Sequence, residues 1–118
     1  MALIIKKESA LAIDKKGVAM RIYNNKDQYS GASVVYQETQ KGHFEEFYHS
    51  KSHFIYYIIE GNGIWYIDEQ AYDVSGGDLI IIPPNSKFYY KGALKQICIV
   101  SPSWEPESEH HVRDIDWS

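Results

Sequence analysis

Three histidines and two glutamates crowd into one short stretch of this 118-residue chain: His43, Glu45, Glu46, His49 and His53. Imidazoles and carboxylates bind zinc or iron, and imidazole moves protons near neutral pH. Spacing weighs against the first use. At about 3.3 Å per strand residue, the four steps from His49 to His53 span roughly 13 Å, too far for two ligands of one ion. A bend at Ser50-Lys51-Ser52 would bring His53 back, which leaves His43, His49 and His53 open as an unconventional metal set. Proton transfer asks less, a single imidazole with a phenol in reach, and the chain has ten tyrosines. Glu45-Glu46 reads as a solvated pair opening a strand, and His110-His111 as exposed. The single cysteine, Cys98, lies in the apolar run 97–100; it excludes an intrachain disulfide and reads as a small buried hydrophobe.

Short apolar or alternating runs separated by turn residues must position these groups, the pattern of an all-β chain. Strands are predicted near 10–14, 18–23, 32–38, 44–49, 54–60, 64–68, 71–74, 79–82, 87–91 and 94–100. Gly61-Asn62-Gly63 accepts positive φ, so 54–60 and 64–68 are expected to pair as a hairpin. Further reversals fall at Asp68-Glu69-Gln70 and Ser75-Gly76-Gly77-Asp78. Pro83-Pro84 stops the strand before it, since proline has no donor for a ladder. Many short strands in one small domain indicate a barrel or jelly roll.

The stretch from Phe54 to Gly63 resembles the end of the first cupin motif, G-x5-H-x-H-x3/4-E-x6-G, and the stretch from Gly77 to Phe88 resembles the second, G-x5-P-x-G-x2-H-x3-N. The resemblance implies a single-domain cupin, a double-stranded β-helix or jelly-roll barrel. It also implies where metal ligands would stand. Phe54 takes the glutamate position, Phe47 and His49 the two histidine positions, and Phe88 the last histidine position. A register shifted by one puts Tyr48 and Ser50 in place of Phe47 and His49 and adds no ligand. One ligand of four survives, so no metal cofactor is expected at that site.

Side chains alternate along a strand, and residues opposite one another share a face. With Phe54 inward, the expected interior is Phe47, His49, Phe54, Tyr56, Ile58, Trp65, Ile67, Phe88 and Tyr90. This is an aromatic chamber with one imidazole and two phenols, the ordinary look of a small-molecule site. His49 is the candidate general base, with Tyr56 or Tyr90 as acid or oxyanion donor. Phe47, Phe54, Trp65 and Phe88 are the candidate ligand-binding walls.

Residues 1–100 hold eleven Lys or Arg against eleven Asp or Glu, while residues 101–118 hold Arg113 against five acids. A neutral body with an acidic tail offers no phosphate-tracking stripe, so neither nucleic acid nor an anionic membrane is an expected partner. The start of the chain lacks the order of a secretion signal, and the protein is expected in the cytoplasm. One domain fits the length: a core barrel at about 18–101 and a tail at 102–118 that Trp104 and Trp117 would anchor. Three functions remain open. The first is a metal-free cupin binding a sugar or other ring compound; the second an isomerase or epimerase of keto-sugars or nucleotide sugars with His49 as base; the third a metal-dependent, dioxygenase-like enzyme with unconventional ligands. Small cupins commonly pair through their N-terminal strands, so a homodimer is expected.

Overall fold

The computed structural model describes residues 2–117; Met1, the first residue of the N-terminal reading, and Ser118 lie outside the described residues. Nine strands form one curled antiparallel sheet: β1 (Leu11–Lys15), β2 (Val18–Ile22), β3 (Ser33–Thr39), β4 (Glu45–His49), β5 (His53–Ile67), β6 (Gln70–Ser75), β7 (Leu79–Ile82), β8 (Phe88–Ser101) and β9 (Glu109–Asp114). The jelly-roll expectation holds. Among the described residues, two three-residue 3-10 turns, Lys7–Ser9 and Pro106–Ser108, are the only helical pieces.

The expected hairpin between 54–60 and 64–68 does not form. Residues 53–67 run as the single strand β5, whose first part pairs with β7 and whose second part pairs with β6. Along its whole length β5 also pairs with β8, which absorbs the two strands expected at 87–91 and 94–100. Gly61-Asn62-Gly63 therefore serves close approach: a Cβ on Gly63 would meet the Lys91 carbonyl oxygen at 2.5 Å, and Gly61, at φ +105°, is crowded by Ala93. The reversals occur at the other two predicted places. Asp68 and Glu69 both take positive φ (47° and 73°) between the paired Ile67 and Gln70, the two-residue hairpin turn that matches strand twist. At the next, the Ser75 N–H donates to Asp78 Oδ2 at 2.8 Å.

A bulge explains why most of the predicted interior survives the lost hairpin. Register shifts between Ile58 and Glu60, so Ile59 is an extra residue and the inward set changes from even to odd numbers along β5. Tyr56 and Ile58 are buried on one side of it, Trp65 on the other, and Phe47, His49, Phe54, Phe88 and Tyr90 join them. Ile67 is only half-buried. The tail closes on its own barrel: β9 pairs with β4, and the Trp117 indole N–H donates to the His43 carbonyl at 2.9 Å.

Candidate functional site

The interior divides into a filled end and a hollow end. At the filled end Phe47, Phe54 and Phe88 pack on one another with centroids 4.6 to 5.8 Å apart. Trp65 stacks on Tyr90 at 4.2 Å and lies parallel to Phe88 at 6.0 Å. These phenyls stand where the cupin resemblance puts metal ligands, and they carry no lone pair to give. The residues present do not fit a metal there. Among the described residues, no three His, Cys, Asp or Glu side chains gather as a metal set.

His49 sits in this filled end with both nitrogens engaged. Its Nδ1 accepts the Ser52 N–H at 3.0 Å, and its Nε2–H donates to the Glu105 carbonyl at 3.2 Å. Burial lowers its pKa from the usual 6.5, and the ring lies 5.5 Å from Phe54. Around it, Ser52 Oγ donates to the Pro102 carbonyl and the Ser50 N–H to the Ser108 carbonyl. This histidine joins the bend after β4 to the C-terminal segment.

The hollow end is a cavity of about 410 Å³ between the β1–β2 hairpin and the inner faces of β3, β4, β5 and β8. Of the residues singled out in the sequence, Phe47, Phe54, Tyr56 and Tyr90 line it; His49, Trp65 and Phe88 do not. Its walls are apolar where Leu11, Ile13, Met20, Ile22, Val35 and Val100 face it. Its polar lining includes His43, Gln37, Glu45, the two tyrosines, and at the mouth Lys15, Trp104 and Glu109. The mouth residues hold one another, Lys15 Nζ to Glu109 Oε2 at 2.8 Å and the Trp104 indole N–H to Glu109 Oε1 at 2.9 Å.

His43 stands just before β4. Gly42, at φ +126°, turns the chain where a side chain would strike the Tyr90–Lys91 backbone. The His43 N–H then donates to the Tyr90 carbonyl at 2.9 Å. The imidazole Nδ1–H donates to the Glu45 carbonyl, which fixes the tautomer and leaves the Nε2 lone pair free. Among the described residues Nε2 has no hydrogen-bond partner. Burial lowers the pKa from 6.5, against the raising effect of the Glu45 carbonyl. The ring stacks near Tyr90 at 5.6 Å and 24°.

Tyr56 lies 6.1 Å from Tyr90, centroid to centroid. Burial raises both phenol pKa values, so each stays protonated. The Cys98 thiol, hydrogen-bonded to Tyr56, is pushed up to about 12 by burial and is inert at neutral pH. Glu45 and Glu46, read as a solvated pair, are both buried. Strand β9 covers them: Glu45 Oε2 meets His111 Nδ1 at 2.6 Å, and Arg113 Nε donates to Glu46 Oε1 at 2.8 Å.

The sequence reading had placed His43 only in the metal set. One signal for it was available, a histidine directly after a glycine at the mouth of an inward-facing strand. Gln37 is likewise legible, as the amide in the inward row Ser33, Val35, Gln37.

Residues 31–93 match the AraC-like ligand-binding domain family. Among solved structures the chain is similar to Pac13, described as a unique nucleoside dehydratase: 30% identity, 98% of this chain and 95% of that one covered, TM-score 0.91. Streptomyces PAC13 has been solved with uridine as one histidine-to-glutamine and two tyrosine-to-phenylalanine variants, the first at 29% identity and TM-score 0.92 over the same shares. An RmlC-like cupin from Shewanella frigidimarina shares the fold, with TM-score 0.68 at 18% identity over 83% of this chain and 88% of that one. A curated relative, the uncharacterized protein MJ1618 of Methanocaldococcus jannaschii, is 35% identical over 63 residues, half of this chain and half of that protein. With more than half of its residues inside the family match and a cupin barrel around them, the chain belongs to the AraC-like ligand-binding domain family of the cupin superfamily.

Proposed function

We propose that the cavity binds a nucleoside or a closely related sugar compound and removes water from it, with His43 as the proton-transfer group and Tyr56 and Tyr90 as hydrogen-bonding groups. One observation carries this reading. The three substituted positions of the uridine-bound Streptomyces variants are a histidine and two tyrosines 13 and 34 residues apart, and His43, Tyr56 and Tyr90 stand here at the same two intervals. The candidate base thereby moves from His49 to His43, while both tyrosines keep their place.

The chemistry follows from the protonation states. A neutral imidazole removes a proton only from activated carbon, so the substrate carries a carbonyl on its sugar portion. His43 Nε2 takes the proton beside that carbonyl as the carbon–carbon double bond forms. The neutral Tyr56 phenol donates to the carbonyl oxygen, and Tyr90, whose proton goes to Gln37, accepts from a hydroxyl of the bound compound. Since burial holds the phenol protons in place, His43 itself returns the proton to the leaving oxygen. Water departs and the imidazole is neutral again. Apolar walls keep solvent from competing for that proton.

The test incubates the protein with uridine and with carbonyl-bearing oxidised uridines and follows loss of one water by mass spectrometry. His43→Gln should bind uridine without turnover. If no such compound binds or reacts, or if His43→Gln reacts at the wild-type rate, the reading fails.

We further propose that the protein is a homodimer. On the outer face of the sheet Leu79 and Ile81 are each 58% exposed and Tyr57 47%, flanked by Ile55, Ile97 and Ile99. A strand reading Leu-Ile-Ile-Ile has no solvated side. Sedimentation equilibrium should give a dimer that Ile81→Asp dissociates; a wild-type monomer would refute it.

A further inference from the structure

Gln37 and Gln96 face one another across β3 and β8, and both are buried, Gln96 completely. Gln96 Nε2 donates to Gln37 Oε1 at 2.8 Å, and the Tyr90 hydroxyl donates to the same oxygen at 3.4 Å. Both acceptor sites of that oxygen are then occupied. The Gln37 NH2 has no partner among the described residues, and Gln37 lines the cavity. Gln96 does not line it, and its own Oε1 is buried without a partner.

An unpaired buried carbonyl is a standing cost to the fold, and a leucine of similar size would remove it. Violations of this kind persist where a site needs them. We propose that Gln37 is a ligand-recognising residue and Gln96 its positioning residue. Gln96 pins the Gln37 oxygen toward Tyr90, so that the Gln37 NH2 is presented to the cavity as a fixed donor for a hydroxyl or carbonyl oxygen of the bound compound. The arrangement also divides the tyrosines. Tyr90 spends its proton on Gln37 and turns a lone pair toward the ligand, whereas Tyr56, whose partner is the weakly accepting thiol of Cys98, is free to donate. This rests on the nucleoside reading only for its probe.

The experiment measures uridine affinity by calorimetry and melting temperature for the wild type, Gln96→Leu and Gln37→Glu. Gln96→Leu should melt at or above the wild type yet bind uridine about tenfold more weakly, the worth of one well-placed hydrogen bond. Gln37→Glu keeps an acceptor for Tyr90 and Gln96 but has no NH2, and should lose affinity by a similar factor at neutral pH. A Gln96→Leu protein that binds uridine as tightly as the wild type, or that melts clearly lower, overturns the proposal. Should the wild type itself bind no uridine, the nucleoside reading falls. The melting comparison then decides the amide pair alone: a higher-melting Gln96→Leu supports it, and a lower-melting one overturns it.

Discussion

His43 and His49 flank the same strand, yet they belong to opposite ends of the barrel and differ in how many ring nitrogens the backbone claims. At the filled end the backbone takes both nitrogens of His49. At the hollow end it takes one nitrogen of His43 and leaves the other to the cavity. Both rings are buried and both are held below the ordinary histidine pKa by that burial. Facing inward is therefore not what makes an imidazole available for chemistry. A free lone pair beside empty volume is.

The comparison breaks first at the histidines themselves. His43→Gln should lower turnover of a dehydratable nucleoside by about 10²–10⁴-fold, the usual worth of a positioned acid–base group, with melting near that of the wild type. Phe88→Ala, at the filled end, should cost about 3–5 kcal/mol of unfolding free energy by leaving a void among packed rings, which denaturant titration would read. His49→Gln should cost about 1–3 kcal/mol, since it leaves the Ser52 N–H or the Glu105 carbonyl short of a partner, while the folded fraction keeps its kcat. A His49→Gln variant that is as stable as the wild type but inactive would reverse the roles assigned to the two residues.

The smallest effect is in pH. Because the folded pKa of each ring is depressed below 6.5, the unfolded chain takes up protons first as pH falls through that value. Stability is full above it and declines below it until the folded pKa is reached. Melting temperature should therefore fall as the pH is lowered through about 6.5, and His49→Gln should flatten the decline. An unchanged slope would mean that His49 titrates alike in both states.

The fold was legible because its punctuation is local. Asp68-Glu69, Ser75–Asp78 and Pro83-Pro84 each stop or turn the chain by their own backbone preferences. The lost hairpin shows the limit of such reasoning. Gly61 and Gly63 suit a turn and suit equally a strand that another backbone crosses closely, and only the long-range partner β8 decides between them. Most inward residues came out right because a hairpin and a one-residue bulge shift the alternation in the same way. The site was less legible. His43 owes its placement and its free Nε2 to a carbonyl of Glu45 and a backbone bond to Tyr90, 47 positions away, and neither is written in residue type. Phe47 and Phe54 were found because they share a face with the cavity; Trp65 and Phe88 share that face at a level where the barrel is solid.

One feature of the sheet bears on how a ligand enters. Strands β5 and β8 run through both ends of the barrel, paired along nearly their whole length, so the halves share a backbone and have no hinge between them. Amide hydrogen exchange should be slowest along these two strands, at the rate of global unfolding. The β1–β2 hairpin is held to the sheet along one edge only, by β3, and the segment around Trp104 lies outside the strands, held by bonds such as Ser103 N–H to the Ser30 carbonyl and Trp104 N–H to Ser33 Oγ. Those two pieces bound the mouth of the cavity, and their amides should exchange faster than those of β5 and β8. A ligand binding as proposed would pass between these two pieces, with the shared backbone of β5 and β8 unchanged behind them.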